Sequence, residues 1–156
     1  MNRPITAFKK DEHGDWVAFL SCGHKQHVRH QPPFFERPWV TTEQGRREKL
    51  GGLLNCVRCE RFEMPDDFAA YRKTAEFTEA TIPKALLSEH STKPGVWAKI
   101  HVLEGKLIYR VEALRAKLEI TRGAPGIVIP EVKHHIEPVG PVTFFVEFYR
   151  RASDRD

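Results

Sequence analysis

The sequence predicts a mostly β fold in two parts, a small α+β module at the N-terminus and a closed sandwich or barrel of short strands behind it. Two observations predict this division. All three cysteines, Cys22, Cys56 and Cys59, lie in the first third or so of the chain. Beyond Phe77, short apolar runs are separated by glycine or proline, a pattern typical of sandwiches and barrels.

Composition narrows the class of protein. Hydrophobic residues make up 40% of the 156 residues and charged residues 29%, as in ordinary globular proteins. No apolar run is long enough to span a membrane and the N-terminus lacks an apolar signal core, so we expect no membrane partner and a cytoplasmic protein. Three cysteines cannot build a disulfide framework, and clustered thiols in a reducing compartment indicate metal ligands.

The first module, residues 1–62, begins with a predicted hairpin. Short apolar runs at 5–8 and 16–20 flank a polar segment in which Gly14 gives the chain freedom to turn. Further on, Thr41 or Thr42 offers an N-cap for a short helix that ends at the next pair of glycines. The module is small, and we expect its hydrophobic core to be thin.

Soft and borderline metal ligands occur in this module as two short pairs, Cys22-Gly23-His24 and Cys56-Val57-Arg58-Cys59. A Cys-x-x-Cys pair lets two thiolates converge on one zinc ion at about 2.3 Å, and a second pair completes the tetrahedron. Zinc would then supply folding energy that the thin core cannot. We expect structural Zn²⁺ on Cys22, His24, Cys56 and Cys59, with His27 and His30 as alternative fourth ligands.

Residues 63–76 are predicted to form a helical connector, because Pro65 suits the first turn of a helix and acidic residues follow it. Residues 77–150 form the β-barrel in this prediction, and residues 151–156 form a tail. The predicted strands of the barrel are 96–103, 106–111, 116–121, 127–129 and 142–149.

Several short runs within 16–59 carry a resemblance to a known family: Leu20 to His24, His27 to His30, Pro32 to Phe34, Arg37 to Val40, Gly45-Arg46 and the final Cys-x-x-Cys. The pattern resembles DUF3565, a small bacterial family without an assigned activity. The resemblance therefore implies no function for this module.

A second set of runs lies in residues 77–150: Ile82-Pro83, His90 to Lys93, Gly95 to Trp97, Lys99-Ile100, Val102 to Leu107, and Pro130 with His134, Ile136 and Glu137. It resembles DUF1971, a cupin-like domain that also stands at the N-terminus of some tellurite-resistance methyltransferases. The resemblance implies a small cupin-like jelly roll. The few residues after Arg150 cannot hold a methyltransferase domain, so we expect no methyltransferase activity.

Cupin barrels usually hold a divalent metal on histidines and a carboxylate, and this resemblance implies a site near His90 and His134. Alternation along a strand puts His134 and His135 on opposite faces, and the family pattern favours His134 as the inward residue. Two readings stay open, a second divalent metal in the barrel or a metal-free pocket. The candidate residues for either are His90, His134, Glu131, Glu137, His135 and Lys99.

No set of nucleophile, base and orienting residue is visible in the sequence. We therefore expect a metal-binding, cupin-like protein that binds a small molecule or oxyanion, with a role in bacterial tellurite or oxidant stress. One alternative is a metal-dependent cupin enzyme, an oxygenase or isomerase. Another is a ligand-sensing regulator whose zinc module binds nucleic acid, which the modest net charge of +4 does not favour. Pairing of exposed sheet edges would make a homodimer.

Overall fold

The computed structural model describes residues 1–28 and 37–154. The chain divides into two compact units, Met1–Arg61 and Phe62–Asp156, called unit 1 and unit 2 below. Strands predominate in both, which confirms the prediction of a mostly β protein. Within the described ranges, no helix has the length and apolar character needed to cross a membrane.

Unit 1 is built on a four-stranded sheet in the order β3-β2-β1-β4. The predicted hairpin is present, with Ile5 opposite Leu20 and Lys10 opposite Trp16. Its turn is closed by the carboxylate of Asp11, which accepts hydrogen bonds from backbone N–H groups two and four residues further on, both at 2.9 Å. The strands are β1 Asn2–Lys10, β2 Trp16–Leu20, β3 Lys25–His27 and β4 Leu53–Asn55.

Two helices complete the described part of unit 1. Helix α1, Glu43–Lys49, begins at Thr42, whose hydroxyl accepts a hydrogen bond from the backbone N–H of Gly45 at 3.0 Å. Helix α2, Val57–Glu60, is a single turn that follows Cys56. The buried aliphatic core of the unit is small and consists of Ile5, Val17, Ala18, Leu20, Val28 and Val40.

Unit 2 contains two antiparallel sheets and one short helix, α3 Lys84–Leu87. One sheet has the order β10-β7-β12-β5, with β6 also pairing with β12, and the other has the order β11-β8-β9. The strands are β5 Phe68–Lys73, β6 Phe77–Thr78, β7 Trp97–Glu104, β8 Leu107–Val111, β9 Ala116–Ile120, β10 Gly126–Val128, β11 His135–Pro138 and β12 Thr143–Arg151.

The helix predicted for residues 63–76 is wrong, because β5 occupies most of this range as a strand. Pro65 and its acidic neighbours do form a turn, in which the N–H of Phe68 donates to the carbonyl of Pro65 at 3.3 Å. The chain then pairs with β12, with Arg72 opposite Phe148. A helix this short is marginal by itself, whereas the free edge of β12 satisfies the backbone of a whole strand.

The outer face of β7 and β12 carries a polar cluster centred on Glu147. This carboxylate accepts hydrogen bonds from the hydroxyl of Tyr149 and from Nε2 of His101, the latter at 3.1 Å. The ring of His101 also stacks on Phe145 with centroids 4.8 Å apart. His101 is therefore a hydrogen-bonded residue of the sheet surface. The hydroxyl of Tyr149 and then His101 hold the pKa of Glu147 below its usual range.

We expect Tyr149→Phe to destabilise unit 2 by about 1–2 kcal/mol at pH 7, because it removes a hydrogen bond to a charged group. A lowered carboxyl pKa contributes stability above the unfolded pKa of about 4.3, and this contribution is lost as the pH falls through the folded pKa. The difference in the free energy of unfolding between the Tyr149→Phe variant and the wild type should therefore shrink in acid. Hydrogen exchange of unit 2 amides at pH 7 and in acid measures it, and an equal difference at both pH values would contradict this account.

Candidate functional site

The first half of a four-residue cluster lies in the tight turn between β2 and β3. Gly23 has a φ of +92°, a conformation that favours glycine, and its N–H donates to the carbonyl of Leu20 at 2.8 Å. The N–H of Leu20 donates in turn to the carbonyl of His24 at 3.0 Å. This turn brings the side chains of Cys22 and His24 to the same place, and both are buried.

The second half of the cluster is set by helix α2. Cys56 is the residue before the helix, and its N–H donates to the carbonyl of Met1 at 2.7 Å, which ties it to the start of the chain. Cys59 lies in that single turn and is fully buried. The Cys-x-x-Cys spacing thus becomes a helical turn with both sulfurs directed at the β2–β3 turn.

The four ligand atoms of this cluster lie within 4.8 Å of one another. Nδ1 of His24 is 3.3 Å from the sulfurs of Cys22 and Cys56 and 3.7 Å from that of Cys59. The sulfurs of Cys22 and Cys56 are 3.9 Å apart. The structure thus brings together the predicted set of Cys22, His24, Cys56 and Cys59, and this buried set could hold a metal ion.

Charge in the cluster favours a bound cation. Burial opposes the imidazolium form of His24, yet hydrogen bonds to the sulfurs of Cys22 and Cys56 outweigh that cost and raise the pKa of His24 to about 9. Hydrogen bonds from Cys22 and Cys59 lower the pKa of the Cys56 thiol well below its usual range, whereas hydrogen bonds to Cys22 and Cys56, with burial, raise the pKa of the Cys59 thiol. Sulfurs that stabilise a positive charge on their neighbour in this way are suited to a metal cation.

Of the two alternative fourth ligands, His27 is not part of the cluster. His27 lies on β3 with an exposed side chain, and its Nδ1 is 3.6 Å from Oδ2 of Asp11. The reason is the alternation of a strand, which turns His27 away from the buried turn. His30 lies outside the described residues.

Replacing His24 with alanine should release the metal at a chelator concentration that leaves the wild type loaded, because three sulfurs would remain for a four-coordinate ion. His27→Ala is the matched control and should retain the metal. Chelator titration followed by elemental analysis measures both. Equal retention in the two variants would place the fourth ligand elsewhere.

A cavity of about 410 Å³ lies inside unit 2. It is lined by β5, β7, β10 and β12 of one sheet, by β11 of the other and by the segment around α3. Most of its wall is apolar, with Phe77, Leu86, Ile100, Val128, Ile136 and Phe148 among the lining residues. A volume of this order is typical of sites for small organic molecules.

His90 and His134 meet at this cavity. They exchange two backbone hydrogen bonds, at 3.0 and 2.9 Å, and their ring centroids are 4.2 Å apart. Nδ1 of His90 is 2.9 Å from the carbonyl of Ser88, and Nδ1 of His134 is 3.1 Å from that of Val132. Burial, together with the nearby His90, lowers the pKa of His134 to about 4. The hydrogen bond to the carbonyl of Val132 acts in the opposite direction.

The other candidates from the sequence do not line the cavity. Lys99 lies on the opposite face of β7, where its ammonium group is 5.1 Å from the ring centroid of Tyr149. Glu131 is exposed, and its φ of +63° lies in the left-handed region of backbone conformation. Glu137 accepts a hydrogen bond from Arg110 at 2.8 Å, and His135 bonds to Glu137 and Glu89. Alternation thus separates His135 from His134, and the assignment of these four residues to the cavity is corrected.

Sequence reasoning missed the two cationic residues of the cavity, Arg72 and Lys93. Arg72 comes from β5, and its guanidinium carbon is 5.8 Å from the ring centroid of Phe148, which also lines the cavity. Simple alternation would not have found it, because the register of β5 against β12 shifts between Phe148 and Tyr149 and the adjacent Tyr71 and Arg72 both line the cavity. Lys93 stands in a loop next to Ser91 and Thr92, and no periodic signal marks it.

Two family models match parts of the sequence. Residues 6–63 match DUF3565, a protein family of unknown function. Residues 72–146 match the TehB-like domain. The more specific resemblance of residues 77–150 to DUF1971 stays a prediction. None of the curated proteins compared matches the chain.

Two solved structures are similar to part of the chain. A protein of E. coli strain K12 has 24% identity and a TM-score of 0.53, covering 56% of this chain and 94% of its own, which is evidence of fold alone. TehB from Haemophilus influenzae has 25% identity and a TM-score of 0.51, covering 55% of this chain and 32% of its own. The chain thus combines a match to DUF3565 at its N-terminus with a match to the TehB-like domain behind it.

Proposed function

We propose that this chain is a small-ligand-binding protein, in which a zinc-stabilised unit 1 accompanies a cupin-like unit 2 that takes its ligand into the 410 Å³ cavity. The observation that carries the proposal is the cavity itself, because it combines an apolar wall with four basic side chains, Arg72, His90, Lys93 and His134. The similarity to TehB supports a role in tellurite or oxidant stress.

Zinc is the metal we propose for unit 1. A tetrahedral zinc ion with Zn–S bonds of about 2.3 Å and a Zn–N bond of about 2.0 Å separates sulfurs by about 3.8 Å and sulfur from nitrogen by about 3.5 Å. The distances of 3.9 Å between Cys22 and Cys56 and of 3.3–3.7 Å to His24 fit this geometry. With all four positions filled by protein, such a site is structural rather than catalytic.

The proposal of a ligand cavity is tested with a panel of four probes: 1-naphthalenesulfonate, hexanoate, phenol and sodium tellurite. We expect at least one of them to shift the amide NMR signals of cavity residues. Ala98→Phe, which fills the cavity from β7, should abolish that shift. Ala70→Phe, at an exposed position of β5, is the control. If none of the four probes shifts the amide signal of any cavity residue, the proposal is overturned.

The stress role has its own test in cells. Expression of the chain in a tellurite-sensitive bacterium should raise the tellurite concentration that stops growth, and Ala98→Phe should remove the gain. Ala70→Phe, expressed to the same level, should keep it. Equal growth with and without the wild-type chain would contradict the stress role. Ligand binding would still be tested separately by the probe panel.

A metal-dependent cupin enzyme is the second candidate, and one observation favours it. Metal-bound histidines usually donate their other ring N–H to a carbonyl, as Nδ1 of His90 and of His134 do here. Catalytic metal sites have about three protein ligands, and no described residue that lines this cavity carries a carboxylate. Elemental analysis of protein purified without added metal separates the two candidates. One zinc per chain favours the binding protein, and a second metal favours the enzyme.

A further inference from the structure

The polar side of the cavity offers two hydrogen-bond acceptors, one on His90 and one on His134. A carbonyl oxygen only accepts, so Nδ1 carries the hydrogen in both His90 and His134, whose carbonyl partners are 2.9 and 3.1 Å away. In the neutral imidazole, Nε2 is then a bare acceptor. His134 is 3% exposed, so water has little access to its ring. A ligand that enters this part of the cavity satisfies these acceptors only if it brings an O–H or N–H group.

The cationic side chains at the exposed side of the cavity favour a ligand with negative charge. Arg72 and Lys93 both line it and are both exposed. Within the described part of the chain, neither is in an ion pair with a carboxylate, and no aspartate or glutamate lines the cavity. Cations that face a cavity without a protein counter-ion favour an anionic ligand, and arginine suits a carboxylate in particular.

The remaining wall determines the body of the ligand. Residues such as Ile100, Val128 and Val146 offer no hydrogen-bonding side chain. Two of the hydroxyls are already engaged, since Thr92 donates to the carbonyl of Val96 at 2.7 Å and Thr74 donates to that of Ala75 at 2.8 Å. A bare inorganic oxyanion would leave this wall uncovered, whereas a compact apolar body would bury it.

We propose that the cavity of unit 2 selects an organic anion that also carries a hydroxyl group. In this arrangement the anionic group faces Arg72 and Lys93, the hydroxyl donates its one hydrogen to Nε2 of His90, next to the ring of His134, and a ring or short aliphatic body fills the apolar part. This inference rests on the proposed function, because it names the class of ligand for the same cavity.

Three aromatic probes isolate the hydroxyl and the charge, and calorimetry or NMR titration gives their dissociation constants. 4-Hydroxybenzoate carries both, benzoate lacks the hydroxyl, and 4-hydroxybenzamide lacks the charge. We expect 4-hydroxybenzoate to bind at least about tenfold more tightly than each of the others, as for the loss of one hydrogen bond to a buried or charged partner. Sodium tellurite and Zn²⁺ are titrated beside them as an inorganic anion and a metal alone.

Variants assign each preference to its side chains. Arg72→Gln combined with Lys93→Gln should weaken 4-hydroxybenzoate at least about tenfold and leave 4-hydroxybenzamide unchanged. His90→Phe should remove most of the advantage of 4-hydroxybenzoate over benzoate while both still bind. Lys99→Gln, on the opposite face of β7, is the matched control and should bind all probes as the wild type does.

The outcomes separate this inference from the proposed function. Equal binding of the three aromatic probes, or binding of tellurite or Zn²⁺ at the cavity without them, would overturn the inferred ligand class and leave a ligand-binding cavity in place. Cavity signals that no probe shifts, in this set or in the broader panel, would overturn both. Preferences that survive in the Arg72 and Lys93 variant and in His90→Phe would also overturn the inference, because they would arise outside the cavity.

Discussion

Cys59→Ser should lose its zinc and unfold residues 1–61 while unit 2 keeps its fold, and Cys56→Ser should do the same. Structural zinc contributes about 10–16 kcal/mol of apparent binding free energy in small zinc domains, as much as the whole stability of many proteins. The core of unit 1 is too small to replace that contribution. Elemental analysis gives the zinc content, and amide NMR signals show separately which unit has unfolded.

The control for this prediction comes from the same helical turn. Val57 lies between the two cysteines and is 44% exposed, so Val57→Ser introduces the same residue without touching a ligand. It should keep its zinc and the fold of unit 1. Native zinc content in either cysteine variant would refute the assignment. Unfolding of unit 2 together with unit 1 would show that the two units are not independent.

Phe144→Ala is expected to destabilise unit 2 by about 3–5 kcal/mol, the usual cost of removing a buried aromatic side chain. Phe144 is fully buried on β12, opposite Val102 of β7, and its ring centroid is 5.6 Å from that of Phe77. Denaturant unfolding followed by NMR signals of unit 2 measures the effect. Phe145→Ala, at the half-buried neighbouring position, should cost clearly less. Equal costs in the two variants would contradict the placement of the core on the Phe144 face.

Much of unit 1 follows from local signals. The hairpin turn is closed by Asp11 and by Gly14, which has a φ of +80°, and α1 begins at one of the two threonines named from the sequence. The metal cluster is predictable for the same reason, because Cys-x-x-Cys and Cys-x-His each converge within one turn of backbone. Short-range geometry needs no knowledge of the rest of the fold.

Unit 2 shows where such reasoning stops. The apolar alternation of β7 and β12 is visible in the sequence. The local signals of residues 63–76 predict a helix, because the strand conformation of β5 depends on the edge of β12, a partner about 75 residues away in the chain. Lys99, a candidate from the sequence, lies one residue out of phase with the lining residues Ala98 and Ile100.

The sequence by itself determined the mostly β class of fold and the convergence of Cys22, Cys56 and Cys59, because these depend on composition and short spacing. Alternation separates His134 from His135, and the family resemblance favours His134 as the inward residue. Only the tertiary structure decided that β5 is a strand, that His90 and His134 share one cavity, and that Arg72 and Lys93 supply its charge. These features require segments far apart in the chain to meet. Their energy comes from pairing and burial across that distance, which no local pattern records.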